Sequence, residues 1–233
     1  MKEYFVKYSF EFIKIFLGIL ISLYFEGARQ DRFENERKNK SIEQLINVID
    51  QDIIQIDNFI KLQEMSLESS NTLYDNLNGE MNLSNDKIMY NISSVGRALK
   101  SFFPQEGIFN QLISSDLIKR IKSETLKTKL FKLFNEDLQR HDVHTKEYDN
   151  FFLEFNFKLS VNFFLEHNWE TDVNKANQIE ILKYRFNKNF YESEIFFGYL
   201  IESRKNIKSY LDELNELKTK YSDLRSLCLD EIQ

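Results

Sequence analysis

Beyond residue 40 the apolar positions recur in threes and fours. Ile42, Ile46, Ile49, Ile53, Ile56 and Ile60 alternate spacings of four and three, the seam of a heptad repeat. Leu45, Ile54, Phe59 and Leu62 widen it to the broader face of a bundle helix. Packing within one chain and an intermolecular coiled coil both satisfy so short a seam. Residues 66–86 are rich in Ser, Asn and Asp and contain Gly79, which predicts a loop or broken helix. A helix over 87–103 is stopped by Pro104. Residues 105–122 read as a short helix and a turn, with Ser114-Ser115-Asp116 as the cap before Leu117. Ser123 opens a long helix with the stripe Leu126, Leu130, Leu133 and Phe134, extending to about Glu166 through FFLEFNFKLSVNFF. Asn168 and Trp169 mark a break, a loop continues to Asn177, and a further helix is expected over 178–189. The last helix, over 193–230, carries Ile207, Leu211, Leu214, Leu217, Tyr221, Leu224 and Cys228. Spacings of three and four rather than two predict no strands.

The opening segment is different. Residues 10–32 read FEFIKIFLGILISLYFEGARQDR. The uninterrupted apolar run, 15–25, rises only about 16 Å as a helix, short of the ~30 Å hydrocarbon core of a bilayer. Extending it back to Tyr4 gives about 33 Å, enough to span, but brings Lys7, Glu11 and Lys14 into the membrane zone. Lys7 can snorkel to a headgroup. Glu11 and Lys14 are neighbours on one helix face and can neutralise one another. Tyr4, Tyr8 and Tyr24 sit where interfacial aromatics belong. Gly18 and Ser22 form a small-xxx-small pair that lets two helices approach. Glu11, Lys14, Gly18 and Ser22 are therefore the expected intramembrane polar and oligomer-contact residues. A buried helix of a soluble core is the competing reading; apolar character all round the helix favours lipid. No A-x-A cleavage pattern precedes Gly27 and Ala28, so retention is expected over removal as a signal peptide. Lys2 and Lys7 precede the run, and Arg29, Arg32, Arg37, Lys38 and Lys40 come after it, which places the C-terminal side in the cytoplasm.

Composition sharpens this reading. One proline and six glycines in 233 residues are far below ordinary usage of about 5% and 7%, so elements should be long and unbroken. The expected fold is all-α: a transmembrane helix and its juxtamembrane extension over 1–40, continuing into a soluble bundle of long amphipathic helices over 41–233. Glu26 with Arg29, and Glu34 with Lys38, have the spacing of helix-surface ion pairs. Net charge is −6, while the first forty residues are slightly basic. The acidic body argues against nucleic-acid binding, whose affinity comes from Lys and Arg displacing phosphate counterions. The single cysteine, Cys228, permits no intrachain disulfide and no cysteine metal cluster; on the last helix's stripe it reads as core.

The chemistry-bearing residues are sparse. Asp137, His141, His144 and Tyr148 share one helix face as a polar cluster. A metal centre needs further convergent ligands, and the Glu-x-x-His spacing of carboxylate-bridged sites is absent because residue 138 is Leu. A solvated polar face is expected. Arg140 precedes His144 too closely for the Arg-x4–6-His motif of helical-bundle RNases. No glycine-rich phosphate loop, Gly-x-Ser-x-Gly elbow or His-Glu-x-x-His helix occurs. No catalytic residue, cofactor or metal is expected.

EFIKIFLGILISLYFEGARQDRFENERK resembles the opening of a family of uncharacterised bacterial single-pass membrane proteins. Glu11, Gly18, Ile19, Leu20, Ile21 and Leu23 match its acidic residue and GILIAL-like core, and Glu34, Glu36, Arg37 and Lys38 its polar continuation. Ser22 stands where alanine is usual, and the typical Asn-Trp pair is missing. EQLINVIDQDIIQID and FNQLISSDLIKRIKSETLKTKLFKLF resemble two later segments of the same family. The resemblance implies a span in the bacterial inner membrane with a helical soluble part, and carries no activity. The resulting expectation is a non-enzymatic scaffold or sensor that contacts lipid and self-associates or binds a protein partner. The alternative is a membrane effector whose oligomerised N-terminal helices form a pore.

Overall fold

No proline occurs before residue 104, and the first helix uses that freedom. In the computed structural model, which describes the backbone of residues 2–167 and 181–232 and the side chains of residues 11–166 and 181–232, α1 runs unbroken over Lys2–Leu77. Its 76 residues reach about 114 Å. The isoleucine seam turns inward as expected: Ile42, Ile46, Ile49, Ile56 and Ile60 are buried and Ile53 is partly so. Ile54 departs from the expected face and lies exposed.

The broken helix expected from residue 66 does not occur; α1 continues for twelve more residues, to Leu77. Ser66, Ser69, Ser70 and Leu73 are buried at helical spacing. The serines are small enough for neighbouring helices to come close, and their hydroxyls find partners there: Ser66 Oγ donates to the Ser94 carbonyl at 3.0 Å, and Ser70 meets Ser203 at 3.3 Å. Tertiary contact thus overrides a weak local propensity. The turn comes at Gly79, at φ +78°, a left-handed conformation that glycine adopts without strain.

Helix α2, Asn85–Gly96, is capped by Ser84 Oγ accepting from the Lys87 N–H. It stops well short of Pro104. Gly96 lies against Asn156 of the later helix over 138–162, so closely that a Cβ would sit 2.5 Å from Asn156 Oδ1. Residues 97–106 then cross the bundle as an irregular strap. α3 spans Gly107–Ser114, and a 3-10 turn spans Leu117–Arg120. Ser114, Ser115 and Asp116 close α3 rather than cap the 3-10 turn: both serine hydroxyls bond back to the Gln111 carbonyl, and Asp116 adopts φ 59° without capping through its side chain.

Ser123 does cap α4, Glu124–Lys132, by accepting the Leu126 N–H at 3.1 Å. A π turn over Leu133–Asp137 joins α4 to α5, Leu138–Asn162. Leu133, Phe134 and Leu138 all face the core across that turn. The long helix expected to reach Glu166 ends at Asn162 and gives way to a hairpin. β1, Phe164–His167, pairs antiparallel with β2, Ile181–Arg185, in the register Phe164↔Arg185, Leu165↔Tyr184 and Glu166↔Lys183. This corrects the expectation of no strands and of a helix over 178–189; Asn168, Trp169, Asn177 and Gln178 lie outside the described residues. Four- and five-residue strands inside an aromatic-rich stretch offer too few positions for a period of two to stand out. α6, Lys188–Tyr191, leads into α7, Glu194–Ile232.

The frame is the antiparallel pair of α7 and the second half of α1. Lys38 meets Glu231, Asp50 meets Arg225, Asp57 meets Lys218, Ser70 meets Ser203, and Tyr74 stacks on Phe197. The whole α7 stripe from Ile207 to Cys228 is buried against it, and burial pushes the Cys228 thiol up to about 12, leaving it unreactive at neutral pH. α2 and α5 lie against this pair. Phe163, Phe186, Phe190, Tyr191 and Phe196 cluster at the end away from residue 38.

Candidate functional site

Two regions hold the residues singled out by sequence. The first is the free half of α1. Every residue from 11 to 27 is exposed. Eleven large apolar side chains project from it, from Leu20 at 45% to Tyr24 at 74% exposure. They surround the helix, so no single neighbour could cover them all. The structure does not support the expected transmembrane helix: among the described residues no helix is long and apolar enough to cross a membrane. Glu11, Lys14 and Glu26 interrupt the apolar stretch, and the side chains of Tyr4, Lys7 and Tyr8 lie outside the described residues.

Glu11 and Lys14 stand three residues apart without an ion pair between them among the described residues. Glu26 and Arg29, with identical spacing, do pair, at 2.7 Å. Ser22 Oγ donates to the Gly18 carbonyl at 2.9 Å, and nothing lies within 4 Å of where a Gly18 Cβ would stand.

Burial on α1 begins near Lys38. The expected Glu34–Lys38 pair does not form. Glu34 and Asp31 instead take Arg120 of the 3-10 turn, with Asp31 at 2.9 Å. The Lys38 ammonium turns inward to Glu231 at 2.7 Å, where the two side chains are 4% and 2% exposed. Glu231 also accepts the Lys122 and Ser123 N–H groups, each at 2.9 Å. Burial alone would raise its pKa, but these three donors outweigh burial and hold its carboxyl below the ordinary glutamate range. One carboxylate therefore ties α1, α7 and the start of α4 together.

The second region is the polar cluster on α5. The structure does not keep Asp137, His141 and His144 as one solvated face. Asp137 pairs with Lys220 of α7 at 2.9 Å. His144 stays exposed at 65%, with Nδ1 3.5 Å from Glu213 Oε2. His141 is buried: Nδ1 is 2.8 Å from Glu213 Oε1, and Nε2 is 3.2 Å from the Phe102 carbonyl and 3.3 Å from Thr145 Oγ1. Helices α5 and α7 face each other here, so a helical period that looked outward in the sequence looks into a second helix. Both ring nitrogens are occupied by the protein itself. Among the described residues no three His, Cys, Asp or Glu side chains are grouped to hold a metal ion.

What His141 holds is the strap. An irregular buried backbone must find partners outside regular structure, and three helices supply them. Tyr210 of α7 accepts the Phe102 N–H at 2.7 Å. Gln63 of α1 donates to the Ala98 and Lys100 carbonyls at 3.1 and 3.2 Å, and Tyr148 of α5 donates to Gln63 Oε1 at 2.7 Å. Asp52 accepts from the Gln105 backbone N–H and side-chain amide, both at 3.2 Å. Burial pushes the Tyr148 and Tyr210 hydroxyls up, which keeps them protonated. Sequence reasoning missed Asp52, Gln63, Tyr210 and Glu213. A signal did exist for two: Asp52 and Gln63 continue the isoleucine seam, where a polar side chain needs a buried partner. Beside this network a cavity of about 230 Å³ opens between α5 and α7, lined by His144, Glu147, Tyr148, Tyr210 and Glu213 among others. It offers carboxylates, hydroxyls and the His144 imidazole.

No curated protein matches the chain, and no solved structure does. A family model matches residues 11–164, from Glu11 on the exposed half of α1 to the first residue of the hairpin, and so takes in the strap and all of α5. The match covers well over half of the sequence, and the chain belongs to this family of unknown function, DUF6090.

Proposed function

We propose that this protein is a non-enzymatic scaffold held at a membrane by the first half of α1, with the bundle presented to a protein partner. The observation that carries the reading is the run of eleven exposed apolar side chains encircling residues 12–25. Soluble monomers rarely expose contiguous apolar patches of more than a few hundred Å², and lipid covers a helix from all sides. The span comprises residues 4–25, about 33 Å long, with Glu11 and Lys14 inside the apolar zone. The excess of Lys and Arg after the run places the bundle on the cytoplasmic face of a bacterial inner membrane. The strap and the Glu231 junction serve this function by making the bundle a stiff platform.

Flotation of the full-length protein with liposomes tests the reading. The protein should rise with the vesicles and resist extraction by high salt or carbonate. A monodisperse protein that stays at the bottom of the gradient without detergent overturns it. Orientation is read by adding Asn110→Cys, at an exposed position, and labelling intact spheroplasts with an impermeant maleimide; no labelling before lysis is expected.

A second reading draws on the same two charges. Glu11 and Lys14 facing water inside a ring of helices would make a pore rather than an anchor. Dye release from loaded liposomes separates the two: the scaffold leaves vesicles intact, whereas a pore empties them and Glu11→Ala reduces the release.

A further inference from the structure

We infer that the exposed half of α1 binds a second copy of itself, in parallel, along one narrow stripe, with Glu11 of each copy paired to Lys14 of the other. The inference rests on the membrane reading above. At 3.6 residues per turn, Glu11, Gly18 and Ser22 fall within about 40° of one line, with Lys14 about 60° to one side. The remainder of the circumference between residues 12 and 24 is apolar. All the polar or small residues in this stretch except Tyr24 therefore share one side of the helix.

Three observations point to a second copy as the occupant. The first is charge. Glu26 and Arg29 neutralise each other within the helix, whereas Glu11 and Lys14 do not at the same spacing. Among the described residues each helix thus has a carboxylate and an ammonium without an ion-pair partner, about 4.5 Å apart along its axis. In a parallel two-fold pair whose contact line runs between Glu11 and Lys14, close to Gly18, each carboxylate faces the neighbour's ammonium, twice over. Intramembrane charges are costly unless they face such a partner. The second is shape. Space beside Gly18 is open, and Ser22 has already returned its hydroxyl to the Gly18 carbonyl, so two backbones can come close without stranding a donor. The third is position. Asp31 and Glu34, which bind Arg120, and the buried Lys38 and Ser41 mark the bundle side of α1. Continued along the same helix, the stripe lies on the opposite side. There Arg29, Phe33 and Glu36 are exposed, so beyond the apolar run that side is clear of the bundle but charged. A second helix can therefore pack on the stripe without meeting its own bundle.

The test is a charge swap read by energy transfer between two fluorophore-labelled pools of the full-length protein in liposomes. The label sits on Asn110→Cys, since Cys228 is buried. Wild-type copies should show transfer that persists as lipid is added in excess. Glu11→Lys alone and Lys14→Glu alone should each weaken association at least tenfold, because every charge then meets its like. Mixing those two variants should restore transfer to near the wild-type level, and Gly18→Leu should abolish it. Pairing within one helix predicts no rescue on mixing, so equal transfer in the single variants, or none regained in the mixture, overturns the inference. Flotation of the same samples keeps the two readings apart. Protein that floats but does not associate overturns only this pairing, whereas protein that does not float overturns the membrane reading and this one with it.

Discussion

Glu231 is where the long helix is fastened to the rest of the molecule, and its removal should be felt throughout. Glu231→Ala leaves the Lys38 ammonium buried without a counter-charge and strips the Lys122 and Ser123 N–H groups of their acceptor. Removing one partner of a buried ion pair costs about 3–5 kcal/mol. At about 2–4 °C per kcal/mol for a domain of this size, the midpoint should fall by about 6–20 °C. Thermal unfolding monitored by circular dichroism at 222 nm, on full-length protein in mild detergent, measures it. The exposed pair Lys129–Asp223 is the control, and Lys129→Ala should leave the midpoint almost unchanged. Lys38→Met combined with Glu231→Leu should lose less than either single change, because no charge is then stranded. Acid supplies a further check. The Glu231 carboxyl lies below the ordinary glutamate value of 4.5, so its contribution is complete above that value and is lost as pH falls through the folded-state pKa. The advantage of wild type over Glu231→Gln should be constant from pH 7 to about 5 and shrink below about 4.5. A loss under about 1 kcal/mol for Glu231→Ala, or single losses that simply add in the double variant, would refute this account of the junction.

The strap and the close helix contacts give further expected outcomes. Gln63→Leu removes the donor to the Lys100 carbonyl and one of two donors to the Ala98 carbonyl, which Tyr148 still reaches, and should cost about 1 kcal/mol; limited proteolysis should then cut first within residues 97–106. Gly96→Ala should cost about 1–3 kcal/mol by overpacking against Asn156, and denaturant melts should show part of that loss recovered with Asn156→Ser. Burial raises the Asp52 carboxyl above its ordinary 3.8, despite the bonds from Gln105. The folded state thus holds that proton more tightly, and its favourable contribution fades as pH rises from about 4 through the folded-state value. The stability of Asp52→Asn relative to wild type, from urea titrations at several pH values, should therefore increase with pH over that window.

Features repeated along the chain were legible in sequence; features fixed by a single distant contact were not. The α7 stripe, the isoleucine seam and the Ser123 cap each depend on residues within a few positions of one another, and each stands in the structure as read. The end of α2 at Gly96 depends on Asn156, sixty residues away, and the serine-rich continuation of α1 depends on Ser94 and Ser203. The polar cluster shows the same division. Its helical spacing was readable, but the presence of Glu213 and Phe102 opposite His141 was not, and that contact turns an apparent solvated face into a buried brace.

The sequence by itself determined that the chain is helical, which faces of its long helices are apolar, and that residues 12–25 are apolar all round. Periodicity and scarcity of breakers are local properties, and local backbone hydrogen bonds are enough to express them. Only the tertiary structure decided where the charged and polar side chains go: Lys38 to Glu231 rather than Glu34, Gln63 and Asp52 to an irregular strap, Asp137 to Lys220. A long side chain on a helix surface has several partners within reach, and the choice among them falls to whichever distant element the fold brings alongside.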